Sequence, residues 1–562
     1  MKDWIIAWSQ HLPVLPIVVP LLAGATMLLL GESRRKLRGS IAALATLLQL
    51  ATALALLSFT TDAVPNVWPH GIGVYAIGSW VAPYGIVLVI DRLAAFMLVL
   101  TAALALATLA YSLARWERVG MHYHSLFQFL LMGLNGAFLT GDLFNLFVFF
   151  EVLLAASYGL LLHGSGAARV KSGLHYIVVN LAASLLFLIG AAMIYGVTGT
   201  LNMADIAVQV AKLSAPDRGL FEAGVAILGV AFLVKAGSWP LNFWLPSAYA
   251  AAGAPVAAVF SIMTKVGIYA VLRIGSLLTL SGAPAPFAGD WLLAVGLATI
   301  VFGAAGMLSA YHLGRLIGFA VVVSSGTILA AVGLDAPHLT APALFYLLTS
   351  VLATGAFFML HGMTERTRLV TEVADAAPLP PVTYLGFELR GSGMPPVRDA
   401  EPEEGEEVGI AIPAAMAFLG LAFVLCVLLV TGLPPLSGFV AKFTLLATAL
   451  ASATGTDGSA PLAVWLLIAA LLMSGLAGVI GLARIGMRLF WSPIPRTTPR
   501  LRVIEATPVA FLILLCIGAT VAAGPLMTYL DSAAVTLHSP RLYIDAVLSP
   551  ESVGALYGEK RQ

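Results

Sequence analysis

Four ionisable side chains lie in segments that are otherwise almost entirely apolar: Glu151, Lys235, Lys265 and Lys442. Each falls near the middle, or at an interruption, of a stretch long enough to cross a bilayer. A charge at that depth costs roughly 2.5–3.5 kcal/mol on insertion scales, so a chain that keeps several has partners or a use for them. In a protein with many spans, such residues indicate a proton or ion pathway.

A buried glutamate beside a lysine forms a pair whose protons can be moved. Burial disfavours the charged form of each group, whereas a neighbouring opposite charge favours it. Lysine suits this chemistry because its charge responds readily to burial, whereas arginine stays charged. If Glu151 pairs with Lys235, a proton that arrives at Lys265 would weaken that pair by repulsion. A static ion pair that only fixes helix packing is the alternative, and it stays open for these residues and for Lys442.

Hydroxyl groups occur in spans close to these residues. Ser324, Ser325, Thr349 and Ser350 could supply a chain of hydroxyls and water, although such side chains commonly bond to their own backbone. Asp142 lies near the outer mouth of its span and would either gather cations or cap a helix.

Other polar residues carry weaker signals. Asp91 and Arg92 begin a span and are expected to pair with lipid headgroups or with each other, and Arg273 is expected to face the outer interface. Cys426 and Cys516 lie in apolar runs without metal-binding spacing, so they are interpreted as buried small hydrophobes. No phosphate loop, Ser/His/Asp set or haem motif occurs, and we expect no covalent reaction, cofactor or metal site.

The composition indicates a membrane protein. Of the 562 residues, 60% are hydrophobic and only 10% are charged, whereas soluble proteins carry about 25% charged residues. A formal net charge of +1 argues against nucleic acid as a partner. The first residues lack a basic region and a cleavage site, so the first apolar stretch is predicted to be a retained span.

Apolar windows of about 20 residues predict about fourteen spans. They lie at 13–31, 39–59, 85–112, 125–141, 143–163, 172–196, 220–252, 254–279, 288–309, 315–333, 341–362, 409–450, 461–484 and 505–530. Basic residues follow the odd-numbered spans, at Arg34, Arg35, Lys36, Arg38, Arg115, Arg118, Arg169, Lys171, Arg366, Arg368, Arg390, Arg398, Arg484, Arg488, Arg496, Arg500 and Arg502. By the positive-inside rule, both termini are expected on the outer side, with Lys212 and Arg218 as exceptions.

Two of the windows are longer than a bilayer requires and are interrupted. The seventh contains Gly237, Pro240 and Pro246 directly after Lys235, and the twelfth contains GLPP at 432–435 before Lys442. Proline removes a backbone donor, and the carbonyl groups that it frees must be met by protein or water. Paired interruptions of this kind indicate a transport pathway, whereas a simple packing kink is the alternative.

Two polar segments are not expected to span. The stretch 363–408, with an acidic run at 401–407, is predicted to be a cytoplasmic loop, either a solvated linker or a docking surface for a partner subunit. The tail 531–562 is not hydrophobic enough to cross the membrane.

Three motifs carry a resemblance to a known family: LMGLNGAFLTGDLFNLFVFFEVLLAASYGLLLHG at 131–164, YGVTGTLNMADIA at 195–207, and KAGSWPLNFWLPSAYAAAGAPVAAVFSIMTKVGIYAVLRI at 235–274. The chain resembles the D subunit of Mrp-type cation/proton antiporters (the MrpD or PhaD kind), which is related to the antiporter-like subunits of respiratory complex I. The resemblance covers most of residues 80–450.

This resemblance implies a fold, a site and partners. The fold would have fourteen helices in two inverted five-helix repeats, with helices seven and twelve broken. The expected units are 1–124 (helices 1–3), 125–280 (first repeat), 281–490 (second repeat) and 491–562 (helix 14 and tail). Motif positions assign the proton pathway to Glu151 and the three buried lysines, and the partners would be the other Mrp antiporter subunits (A, B, C, E, F and G).

One departure from the family is visible. Residues 346–358, YLLTSVLATGAFF, lack the histidine or lysine that many relatives place in helix eleven, so hydroxyls and water would have to bridge Lys265 and Lys442.

Three functions remain: the proton-handling subunit of a multisubunit Na⁺(K⁺)/H⁺ antiporter of the bacterial inner membrane, a proton-pumping subunit of a redox-driven complex, and a non-conducting scaffold. The first is favoured.

Overall fold

A computed structural model describes residues 11–31, 34–61, 68–114, 121–279, 287, 289–375, 414–453, 461–490 and 501–549. Nineteen α-helices and one two-stranded sheet occur in these ranges. In chain order they are α1 (Leu15–Leu29), α2 (Arg35–Thr60), β1 (Gly73–Ala76), β2 (Val87–Ile90), α3 (Arg92–Ser112), α4 (Tyr123–Leu139), α5 (Leu143–Leu161), α6 (Ala167–Thr198), α7 (Met203–Val210), α8 (Ala215–Ala236), α9 (Trp244–Ala251), α10 (Ala254–Leu278), α11 (Asp290–Ser309), α12 (Leu313–Gly333), α13 (Thr340–Asp375), α14 (Ala414–Thr431), α15 (Ser437–Ala453), α16 (Leu462–Phe490), α17 (Val503–Val521), α18 (Ala523–Leu537) and α19 (Pro540–Leu548).

The predicted all-α, polytopic membrane architecture is confirmed in outline, with one two-stranded sheet as the exception. Among the described residues, 13 helices are long and apolar enough to cross a membrane. The predicted fourth span is α4, whose 17 residues extend about 26 Å at 1.5 Å per residue, slightly less than a typical hydrocarbon core. The predicted twelfth span is divided between α14 and the shorter α15.

The predicted start of the third span is wrong. Residues 87–90 form a strand that pairs antiparallel with β1, with Gly73 opposite Ile90 and Ala76 opposite Val87. Helix α3 begins only at Arg92, and the carboxylate of Asp91 caps it by accepting a hydrogen bond from the backbone of Ala94. A short apolar run has no period that separates a buried strand from a helix, which explains the error.

Two predicted boundaries also change, and two segments considered above lie outside the described residues. The stretch predicted as a loop from 363 begins inside α13, which continues to Asp375. The acidic run at 401–407 and the first ten residues lie outside the described part of the chain. The last span ends at Val521, and the chain then forms α18 and α19.

Helix α10 lies at the centre of the protein. It packs against α3, α8, α12 and α13, and almost all of its side chains are buried, including Lys265 at 1% exposure. A membrane helix that is shielded on every side can carry polar residues that lipid would not tolerate. Position in the helix bundle therefore makes α10 the element best suited to hold a central charge.

Both predicted helix breaks are confirmed, and they share one local geometry. Helix α8 ends at Gly237, whose φ is +70°, and α14 ends at Gly432, whose φ is +77°. Residues with a side chain rarely adopt this conformation, which favours glycine. In each break the next residue donates its N–H to the carbonyl five positions earlier, Ser238 to Leu233 and Leu433 to Leu428. A proline, Pro240 or Pro435, follows each glycine after three residues.

Two helix hairpins, α4–α5 and α11–α12, are also held by corresponding contacts. A Cβ atom added to Gly136 would lie 2.2 Å from Phe149, and one added to Gly306 would lie 2.2 Å from Phe319. Gly306 follows Gly136 by the same number of residues as Phe319 follows Phe149. By the same offset, Val321 stands at the position that Glu151 occupies in the first hairpin. The domain boundaries given above stay a prediction, which these recurring contacts support.

Candidate functional site

Lys235 lies at the last turn of α8, directly before the break. It is only 8% exposed, and its Nζ sits 4.9 Å from the ring centroid of Phe150. The Nζ donates to the hydroxyl of Ser184 on α6 at 3.5 Å, and that hydroxyl donates to Oε1 of Glu151 on α5. The structure therefore brings Glu151 and Lys235 together through a serine that joins them.

A small cavity adjoins Lys235. It measures about 20 Å³ and is lined in part by Asn180, Tyr176 and Trp244. That volume is enough for a water molecule when polar partners are present. Lys235 thus has a protein hydrogen-bond acceptor in Ser184 and, beside it, a space of about the size of one water molecule.

Lys265 lies in the middle of α10, where hydroxyl groups of two neighbouring helices surround it. Its Nζ donates to Ser324 at 2.8 Å and to Ser325 at 3.3 Å, and Ser324 in turn donates to Ser350 on α13 at 2.8 Å. Two of the predicted serines therefore contact the predicted lysine, and the third, Ser350, is connected to it through Ser324. Thr349 does not join them, since its buried hydroxyl has no hydrogen-bond partner within the described residues.

The helices that carry Lys235 and Lys265 approach each other closely. A Cβ atom on Gly267, two residues after Lys265, would lie 2.7 Å from the backbone nitrogen of Ala236 and 3.1 Å from the carbonyl carbon of Lys235. This contact requires glycine and places α10 against the last turn of α8. The segments that carry the two lysines are therefore in direct backbone contact.

Lys442 is held by the second helix break. Its Nζ donates to the backbone carbonyl of Thr431, the last residue of α14, at 2.8 Å. In a continuous helix that carbonyl would accept from the backbone N–H of residue 435, but Pro435 has no N–H to give. The proline thus frees the oxygen that Lys442 uses, and the lysine is 9% exposed.

Asp142 serves as a helix cap. Its carboxylate accepts from the backbone N–H of Asn145 at 2.9 Å, at the start of α5. Burial raises the pKa of this carboxyl above its ordinary value, and the hydrogen bonds from the backbone of Asn145 and Phe144 partly offset the rise. Of the two interpretations of Asp142, the cap is the one that the geometry supports.

The expectations for Asp91, Arg92 and Arg273 are wrong. Arg273 lies inside the protein, where it forms an ion pair with Asp91 at 2.7 Å, with side-chain exposures of 5% and 2%. Arg92 donates to the backbone carbonyl of Thr60 at 3.0 Å. The ion pair between Arg273 and Asp91 was not predictable from the sequence, because 182 residues separate its members.

Neither a metal centre nor a reactive thiol stands out. The described residues hold no group of three or more His, Cys, Asp and Glu side chains placed to bind a metal. Cys426 and Cys516 are buried and free. Within these ranges, the buried lysines and Glu151 are groups that can hold or release a proton, and the hydroxyl and carbonyl oxygens beside the lysines accept their hydrogen bonds.

Two components of the site were absent from the sequence interpretation: Ser184 and the carbonyl of Thr431. A signal for the first exists, since Tyr176, Asn180 and Ser184 recur every four residues along one face of an otherwise apolar span. The Thr431 carbonyl has a sequence signal only once the structure is known: Thr431 stands four residues before Pro435.

Comparison with known proteins identifies the family. Residues 140–397 match the family model described as NADH:quinone oxidoreductase/Mrp antiporter, TM. The chain is 52% identical over 553 residues to the D subunit of a probable K(+)/H(+) antiporter of Rhizobium meliloti, covering 98% of this chain and 99% of the relative. It is 32% identical over 541 residues to the D subunit of the Na(+)/H(+) antiporter of Bacillus subtilis, covering 95% and 99%.

A solved structure agrees with these relatives. A chain of the Mrp complex from a Dietzia species is similar with a TM-score of 0.76 and 26% identity, and the match covers 96% of this chain and 99% of that one. The buried lysines therefore occur in a chain whose sequence and fold match the same group over nearly its full length. The chain belongs to the family of D subunits of Mrp-type multisubunit cation/proton antiporters.

Proposed function

We propose that this chain is the proton-translocating subunit of a multisubunit Na⁺ or K⁺/proton antiporter, a transporter component rather than an enzyme. The single observation that carries the proposal is the set of three buried lysines, Lys235, Lys265 and Lys442, each of which donates to a hydroxyl or carbonyl group inside the protein. Lipid-facing lysines would extend toward the interface and find water instead.

The proposed route has two halves that meet at Lys265. In the first half, a proton moves among Glu151, Lys235 and the water space beside them. Charging Lys265 then disfavours a second positive charge on Lys235, because α8 and α10 are in backbone contact. Lys235 then either gives up its proton or moves toward Glu151. In this way the charge on Lys265 controls the Lys235–Glu151 pair.

The second half uses a different device. Lys442 donates to a backbone carbonyl at the break, and the position that corresponds to Glu151 is the apolar Val321. Gating by a carboxylate is thus proposed for the first half only. Ser324 and Ser350 would lead from Lys265 toward the second half with water, in place of the ionisable residue that many relatives have in helix eleven.

We further propose the setting of this subunit. It would assemble with the other Mrp antiporter subunits (A, B, C, E, F and G) in a hetero-oligomer of the bacterial inner membrane. The Mrp complex of the structural relative supports assembly, and the distribution of Lys and Arg supports an outer location for both termini. The two relatives named above carry different cations in their names, K⁺ and Na⁺.

The alternative is a proton-pumping subunit of a redox-driven complex, which the wider family name keeps open. A non-conducting scaffold is the third possibility. The 52% identity to an antiporter subunit over nearly the whole chain favours antiport over both.

The test replaces Lys265 by alanine in the complete complex, expressed in an antiporter-deficient host. In everted vesicles we expect collapse of an imposed pH gradient by Na⁺ or K⁺ to be lost, while the amount of complex is unchanged. The control is Thr108→Val on α3, which removes a buried hydroxyl that bonds only to its own helix. Normal exchange by the Lys265 variant would refute the proposal, and exchange that requires an electron donor would favour the redox-driven alternative.

A further inference from the structure

Ser184 is hydrogen-bonded to both Glu151 and Lys235. Its hydroxyl donates to the glutamate oxygen and accepts from the lysine nitrogen at 3.5 Å. Among the described residues, Glu151 and Lys235 form no direct ion pair. The two ionisable groups are thus connected in a defined direction, from ammonium to hydroxyl to carboxylate.

The hydroxyl of Ser184 points to a side chain of another helix, as that of Ser324 does. Thr101 and Thr327, by contrast, donate to the backbone carbonyl four residues earlier in their own helices, which is the common choice for such side chains. Within the ranges that the structure describes, Ser184 donates only to Glu151, although it is 3% exposed. Its hydrogen is therefore available to a titratable group.

The packing of α6 against α8 keeps Ser184 in place. A Cβ atom on Gly190, six residues after Ser184, would lie 2.8 Å from the backbone oxygen of Gly224. The two helix backbones approach as closely as glycine allows. Because α6 cannot move away from α8 without losing this contact, Ser184 stays within reach of Lys235.

We propose that Ser184 is a hydroxyl relay that passes the proton between Lys235 and Glu151; this rests on the proposed function. The ammonium N–H bond of Lys235 breaks as a new O–H bond forms on Ser184. The original O–H bond of Ser184 breaks as a new one forms on Oε1 of Glu151. The lysine becomes neutral, the glutamate becomes neutral, and the serine is unchanged.

Without the hydroxyl, neither remaining arrangement serves transfer well. If the carboxylate and the ammonium keep their positions, the gap between them has no group to carry the proton. If they move together, they form a direct ion pair that stabilises both charged forms and holds the proton on the lysine. Either outcome slows exchange while leaving all four ionisable residues in the chain.

The test compares Ser184→Ala with Ser184→Thr in the intact complex, using the vesicle exchange assay. We expect Ser184→Ala to lower the rate of exchange about tenfold or more, since a positioned proton-transfer group contributes at least that much. Ser184→Thr keeps the hydroxyl and should restore most of the rate. The matched control is Thr108→Val, which removes the hydroxyl of another buried residue, one that bonds to its own helix.

The outcomes separate the relay from the proton pathway on which it rests. Loss of exchange in Glu151→Gln and Lys235→Ala, with normal exchange in Ser184→Ala, would overturn the relay and leave the proton pathway standing. A Ser184→Thr variant as slow as Ser184→Ala, or a comparable loss in Thr108→Val, would assign Ser184 a packing role and also overturn the relay. Normal exchange in both ionisable variants would overturn the pathway and the relay together.

Discussion

Gly432→Ala should disable Lys442 without replacing it. The added Cβ would lie 2.6 Å from Cδ and 3.1 Å from Cε of the lysine. Two carbon atoms need about 3.5–4.0 Å, so the lysine stem must move by about 1 Å. If that movement carries Nζ away from the Thr431 carbonyl, the 2.8 Å hydrogen bond between them lengthens to about 3.8 Å, which is beyond hydrogen-bond range.

Two costs contribute to the expected effect. A residue with a side chain at the positive φ of position 432 costs about 1–2 kcal/mol of backbone energy. A lost hydrogen bond to a charged group costs about 1.5–3 kcal/mol. If the cost of the lost hydrogen bond opposes the return of Lys442 to its functional position, the exchange rate falls about tenfold to a hundredfold, since 1.4 kcal/mol is a factor of ten.

A matched glycine separates these two costs. Gly199 also has a φ of +70° and ends α6, but a Cβ atom there would meet nothing within 4 Å. Gly199→Ala should therefore lower the thermal stability of the complex to a similar degree while exchange in vesicles continues. If Gly432→Ala exchanges at the wild-type rate in complexes of normal abundance, the contact between Lys442 and Thr431 has no part in transport.

Three further changes test other contacts. Asp91→Asn keeps a cap for α3 but leaves Arg273 as a buried unpaired charge, which should cost about 3–5 kcal/mol of stability; thermal unfolding of the complex would show it, and Arg273→Met in the same chain should recover part of the loss. Ser324→Ala removes the 2.8 Å acceptor of Lys265 and should slow exchange several-fold in vesicles, whereas an unchanged rate would exclude Ser324 from the route. For Asp142, a pKa raised by burial means that stability is greatest below its ordinary pKa of 3.8 and is lost as pH rises through the raised value. Asp142→Asn should retain the cap without this loss, so unfolding temperatures of the two proteins should diverge as pH increases from about 4, and parallel curves would contradict the assignment.

The breaks in the seventh and twelfth spans were predictable because proline and glycine act locally. Pro435 removes a donor wherever it stands, and Gly432 permits a positive φ that other residues rarely adopt. The sequence also identified Lys265 and its serine neighbours, because a charge in an apolar span is conspicuous. By contrast, the third span was predicted to begin too early, since an apolar strand and an apolar helix look alike over a few residues.

The partners of the charged groups were harder to predict. Arg273 was expected at the outer interface, and its carboxylate partner lies on a helix cap far away in sequence. Thr349 and Ser350 are neighbours in sequence, yet only Ser350 reaches the serine that holds Lys265. Adjacent residues on a helix point about 100° apart, so the packing of α13 selects one and excludes the other.

The amino-acid sequence alone determined that this protein lives in lipid, where its helices break, and which side chains carry charge into the membrane, because these properties follow from residue type and local backbone chemistry. Only the tertiary structure decided what each charge meets: a serine on α6, two serines on α12, and a carbonyl freed by proline. Such contacts join helices that are distant in sequence, and their geometry depends on how closely the helix backbones pack.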